Sequence, residues 1–142
     1  MQFVAELILS FTAATLGKGI ALQFSKKFPE MLDDYWKACE SGQLRLGTMH
    51  VFERNELLNP RYIINFPTKG HWRSRSRLKD IKDGLAALVE EVRNRNIHSI
   101  AVPPLGCGNG GLEWSEVRPV IESALAPLSD VRVLLYPPLM TR

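Results

Sequence analysis

Apolar residues change their spacing several times along the chain, and each change marks an element. The aliphatic run within Phe3–Ser10 predicts a buried strand, and the small residues Thr12–Gly19 predict a loop behind it. A helix is expected over about Ile20–Lys27. Pro29 suits the first turn of another, which reaches about Cys39 and stops at Ser41-Gly42. Thr48–Glu53 and Tyr62–Phe66 predict strands joined by a polar turn around Asn55–Pro60. Between Arg77 and Asn94, residues Leu78, Ile81, Leu85, Leu88, Val89 and Val92 recur at helical spacing, which predicts a long helix with one buried stripe. Ile97–Val102 and Val131–Tyr136 are the remaining strands, and a last helix is expected from about Trp114 to Leu128.

Aliphatic strands alternating with amphipathic helices predict an α/β fold whose mostly parallel sheet is covered on both faces. No repeat or low-complexity segment interrupts the alternation. Ligands of such sheets bind outside the carboxyl ends of the strands. Thr12–Gly19, Pro67–Arg77 and Pro103–Gly111 each follow a strand, so all three loops are expected to gather at that edge.

Composition narrows the class without naming a chemistry. With 142 residues, 45% of them hydrophobic and 23% charged, residues 1–142 are expected to form one globular domain. The sequence shows no secretory leader, and Phe3–Phe11 is too short to span a bilayer, so no membrane partner is expected. Cys39 and Cys107 have neither disulfide-framework nor metal spacing, which fits a reducing cytoplasm. His50, His71 and His98 are scattered, so no metal site and no cofactor are expected. The net charge of +3 is unevenly spread. Lys69, Arg73, Arg75, Arg77 and Lys79 fall in one stretch without an acid, as a solvated loop or a site for a polyanion would.

Candidate chemistry lies in three places. The segment Pro103-Pro104-Leu105-Gly106-Cys107-Gly108-Asn109-Gly110-Gly111-Leu112-Glu113-Trp114 links a strand to a helix through four closely spaced glycines. Such a turn aims backbone N–H groups and a partial positive charge at one point, which suits a phosphate. Gly17-Lys18-Gly19 precedes another helix, either as a plain helix entry or as a second set of backbone donors, and two such turns facing one edge suit a pyrophosphate. In Phe66-Pro67-Thr68-Lys69-Gly70-His71-Trp72-Arg73, a rigid proline and a flexible glycine flank Lys69. That lysine is either an ordinary exposed residue or a base or nucleophile. Trp72 with Arg73 and Arg75 offers either a cap on the core or a stacking surface for nucleic-acid bases. Glu113 needs no role beyond favouring a helix start. Cys107 lacks a sequence-near histidine to activate it.

These residues, taken in order, resemble the macro domain, an ADP-ribose-binding α/β module, and within it the DarG-type DNA ADP-ribosyl glycohydrolase antitoxins. The resemblance runs from about Gly17 to Pro138. It rests on Gly17–Phe24, Pro60–Lys69, His71-Trp72-Arg73, Pro103–Gly108 and Gly110-Gly111-Leu112. It implies a three-layer α/β/α fold with a mixed, mostly parallel sheet. It further implies that Gly17, Lys18, Gly19, Ile20 and Thr68, with Pro104, Leu105, Gly106, Cys107, Gly108, Asn109, Gly110 and Gly111, hold ADP-ribose. Lys69 would remove ADP-ribose from thymidine in single-stranded DNA, a strand held by His71, Trp72, Arg73, Arg75 and Arg77. A cognate DNA ADP-ribosyltransferase toxin would be the partner. Residues 1–16 depart from the family pattern. Ile8–Thr15 contains no asparagine where the family places one near the scissile ribose, and the family's first strand and adenine-contacting Gly-Asp element are expected to be missing. An ADP-ribose reader without turnover, an antitoxin acting by contact alone, and a hydrolase of protein-linked or other ADP-ribose derivatives are the alternatives.

Overall fold

The computed structural model describes residues 5–11, 26–54, 61–69 and 74–138. Its elements are β1 (Ala5–Phe11), α1 (Pro29–Glu40), β2 (His50–Glu53), β3 (Tyr62–Lys69), α2 (Leu78–Asn94), β4 (Ser99–Val102), a short 3-10 turn (Gly108–Gly110), α3 (Trp114–Leu125) and β5 (Arg132–Leu135). The five strands lie in the order β2-β3-β1-β4-β5. β1 runs parallel to β3 and β4, and β4 runs parallel to β5. β2 is antiparallel to β3, which makes the sheet mixed. Residues 5–11, expected to depart from the family in sequence, form the central strand. The helix expected over Ile20–Lys27 lies largely outside the described residues, and the Asn55–Pro60 turn lies wholly outside them.

Alternation along β3 divides the core between the two faces of the sheet. Tyr62, Ile64 and Phe66 join a cluster with Ile81, Leu85, Leu88 and Val92 of α2 and Val117, Ile121 and Leu125 of α3. Ile63 points the other way and packs with Met31 and Tyr35 of α1 and with Phe28 and Leu44. The result is three layers, as a period of two in the strands and 3.6 in the helices requires. Asn65 shares the face of Ile63 and is fully buried. Its Nδ2 lies 2.8 Å from His50 Nδ1 across the β2–β3 pair, and His50 Nε2 lies 2.7 Å from Asp34 Oδ2 on α1. With Asn65 donating to Nδ1, the ring proton sits on Nε2 and is donated to the carboxylate. This chain of bonds ties α1 to the edge of the sheet.

Ser41 caps α1, and Gly42 turns the chain at φ +75°. The stripe foreseen from Leu78 to Val92 is the buried face of α2. No helix among the described residues is long and apolar enough to cross a membrane.

α2 approaches the sheet so closely that a Cβ on Gly84 would sit 2.6 Å from Phe66 Cε1. Alanine in mid-helix normally gains about 1 kcal/mol over glycine, but displacing a buried ring costs about 1–3 kcal/mol. Gly84→Ala is therefore expected to lower the unfolding free energy measured in urea. The same change made on a Phe66→Leu background should be neutral or stabilising.

Candidate functional site

The chain enters the sheet at β1, fills one side with β2 and β3, and then crosses to β4 on the other side. The carboxyl end of β1 is thus a topological switch point, where α/β sheets leave a crevice. Register gives the crevice depth. β1 and β3 stay paired as far as Phe11 and Lys69. The β1–β4 pairs Ala5↔Ile100 and Glu6↔Ala101 place Val102, the last residue of β4, level with Leu7. β1 and β3 therefore overhang β4 by about four residues, roughly 13 Å at ~3.3 Å per residue. The glycine loop follows Val102 directly, where β4 ends short of that overhang.

Lys69 was expected in a loop beginning at Pro67. It is instead the last residue of β3, 9% exposed, and Thr68 beside it is 5% exposed. Proline did not end the strand, for two reasons. Antiparallel pairing to β2 has already stopped at Asn65. Pairing to β1 shifts register between Ser10 and Phe11, next to Pro67. Strand ends, edges and irregularities are where a residue without an N–H is tolerated. Lys69 is consequently positioned by a sheet and not by a loop.

The glycine loop folds on itself. Cys107 N donates to Pro104 O at 3.1 Å, Gly111 N to Gly108 O at 3.0 Å, and Leu112 N to Gly106 O at 3.0 Å. The last bond closes a turn entered at Gly106 with φ +75° and left at Gly111 with φ +81°, a region that side chains disfavour. The amides of Gly106 and Gly108 have no protein partner among the described residues. They stand just ahead of Glu113, the residue before α3. Unbonded amides near a helix start form an anion-binding concavity.

Segment 74–77 backs this loop. Ser76 N donates to Gly110 O at 2.9 Å, and Arg75 Nη2 donates to Gly111 O at 3.3 Å. Two of the three suspected loops therefore meet. Sequence reasoning did not single out Ser76, because a lone serine ahead of a helix carries no mark of what it packs against. Two other cations of the basic stretch, Arg77 and Lys79, have partners of their own. Arg77 Nε lies 2.8 Å from Asp80 Oδ2, and Lys79 Nζ lies 2.9 Å from Asp83 Oδ2. Hydrogen bonding to Asp80 holds the Arg77 guanidinium above its usual pKa, and Asp83 does the same for the Lys79 ammonium. Gly17, Lys18, Gly19, Ile20, His71, Trp72 and Arg73 lie outside the described residues. No group of three or more His, Cys, Asp or Glu among the described residues is placed to hold a metal ion.

A macro domain family model matches residues 11–121. The DNA ADP-ribosyl glycohydrolase of Thermus aquaticus is 49% identical over 127 residues, covering 89% of this chain and 35% of that protein. The macrodomain of Mycobacterium tuberculosis DarG superposes with a TM-score of 0.95 at 45% identity, covering 98% of this chain and 91% of that one. A DNA ADP-ribosyl transferase-DNA ADP-ribosyl glycohydrolase fusion protein of Thermosipho africanus is 34% identical over 146 residues, covering 92% of this chain and 37% of that protein. The structure of Thermosipho africanus DarTG in complex with ADP-ribose matches with a TM-score of 0.88 at 34% identity, covering 99% of this chain and 39% of that one. The chain thus spans about a third of the length of these curated relatives.

Both cysteines are half-buried. Desolvation, chiefly, pushes both thiols above the usual range, with Glu113 adding to the effect at Cys107. Thiolate is therefore scarce at neutral pH. Iodoacetamide should label Cys107 more slowly than it labels glutathione at pH 7, with the rate climbing only as the pH passes the ordinary thiol range. Rapid labelling at pH 7 would contradict this assignment.

Proposed function

This chain belongs to the macro domain family, and we propose that it is an ADP-ribosyl glycohydrolase that removes ADP-ribose from thymidine in single-stranded DNA. The observation that carries the reading is the place of Lys69. It ends β3 at the switch-point crevice, across β1 from a glycine loop whose amides suit a diphosphate. The same chain is 49% identical to a DNA ADP-ribosyl glycohydrolase over most of its length.

In this reading the Gly106–Gly111 loop, with Gly17-Lys18-Gly19 from the end of β1, holds the diphosphate and the ribose next to it. That contact is uniform binding: it fixes the sugar without itself lowering the barrier. Lys69 acts at the anomeric carbon, either as the base that takes a proton from the attacking water or as the attacking amine. The bond from that carbon to the base nitrogen breaks, the nitrogen keeps the electron pair and takes up a proton, and oxygen from water ends on the sugar. Burial in β3 holds the amine in place for this step and removes rotamer freedom that a loop lysine would keep. Trp72 and Arg73 hold the DNA strand, and residues 1–142 act as one domain in the cytoplasm. The fusion of transferase and glycohydrolase in the Thermosipho relative supports a DNA ADP-ribosyltransferase toxin as partner.

A second reading, an ADP-ribose reader without turnover, is favoured by the absence of asparagine from Ile8–Thr15. A single-stranded oligonucleotide carrying ADP-ribosyl-thymidine decides between the two. The wild type should release ADP-ribose. Lys69→Ala should lower the rate by about 100-fold or more, as loss of a general base or nucleophile does, while its affinity for free ADP-ribose changes little. Binding without release by the wild type would establish the reader instead.

A further inference from the structure

Arg75 was expected to grip the DNA strand, but its guanidinium lies on the glycine loop. It donates through Nη2 to the carbonyl of Gly111 at 3.3 Å. A Cβ on Gly111 would sit 2.8 Å from both Nε and Nη2, so the side chain lies flat against that residue with no room between them. One residue on, the amide of buried Ser76 holds Gly110 O at 2.9 Å, and the Ser76 side chain abuts Gly110 and Gly106. Consecutive residues of one segment therefore hold consecutive carbonyls of the loop. The other contact of Gly111, from its own amide to Gly108 O, lies within the loop and cannot place it on the sheet.

From this geometry we infer that Arg75 is a positioning residue for the diphosphate loop and not a contact of the DNA strand. The inference rests on the reading that Gly106–Gly111 binds the diphosphate. Holding Gly111 from behind keeps the turn pinned, and with it the unbonded amides of Gly106 and Gly108. The free loop then has less order to gain when the ligand binds, which is how preorganisation raises affinity. A guanidinium can hydrogen-bond the carbonyl while lying flat over a glycine. An ammonium on a flexible stem provides the charge without that planar fit. The same segment begins just past Lys69, so the reacting end of the site and the diphosphate end are joined by a short stretch of chain.

The test compares wild type, Arg75→Ala and Arg75→Lys in three assays: calorimetric binding of free ADP-ribose, binding of an unmodified single-stranded oligonucleotide, and turnover of the ADP-ribosylated oligonucleotide. Arg75 is exposed, so the fold does not depend on it. Arg75→Ala should bind free ADP-ribose roughly fivefold to tenfold more weakly, the loss of one hydrogen bond from a charged donor. Arg75→Lys should recover little of that loss. Affinity for the unmodified oligonucleotide should stay unchanged, and in turnover KM should rise while kcat holds, because the contact binds ground state and transition state alike. Unchanged ADP-ribose affinity in Arg75→Ala, or full rescue by Arg75→Lys, would overturn the inference. So would a loss confined to oligonucleotide binding. A wild type that fails to bind ADP-ribose at all would instead overturn the diphosphate reading, and this inference with it.

Discussion

Parallel pairing of β1 with β3 runs from Ala5↔Tyr62 to Phe11↔Lys69, and the placement of the site follows from it. Because β1 is central, its other edge carries β4, and β4 stops well short of the β1–β3 ladder. That difference in length makes the crevice. A buried lysine stands at the end of the longer pair, and the glycine loop begins where the shorter strand stops. A parallel ladder needs both faces covered, so α1 on one side and α2 with α3 on the other are conditions for the site as much as for the core.

Polar groups inside this frame do mechanical work. The Asp34–His50–Asn65 chain carries an order from α1 to the middle of β3, four residues before Lys69. The Asn65–His50 link is buried, where an unpaired polar atom costs about 1–3 kcal/mol, while the Asp34 end is exposed. On the other face, Gly84 lets α2 sit directly on the ring of Phe66. β3 is thereby held from both sides, and so is the residue at its tip.

The basic stretch from Lys69 to Lys79 is divided by the fold. Read as charge, it is one patch. In the fold its described members go to different duties. Lys69 ends a buried strand, Arg75 lies on Gly111, and Arg77 and Lys79 pair with acids of α2. The Lys79–Asp83 pair is exposed on both sides and contributes little stability. Both salt bridges do neutralise part of the positive charge that the sequence gathers in this stretch.

The sequence by itself determined the order of the described elements, the buried stripe of α2 and the glycine turn ahead of α3. Each is legible because it is local: periodicity, Pro29 in a first turn, Gly42 after a helix and clustered glycines act over a few residues. The family was legible for a related reason, since its motifs are short and ordered. Tertiary structure alone decided that β3 passes through Pro67 to carry Lys69, because that depends on where β2 ends and where β1 shifts register. It alone placed Ser76 and Arg75 on the glycine loop and Asn65 between Met31 and His50. Those contacts join residues 15 to 36 positions apart, and no local pattern encodes a partner that only the folded sheet brings near.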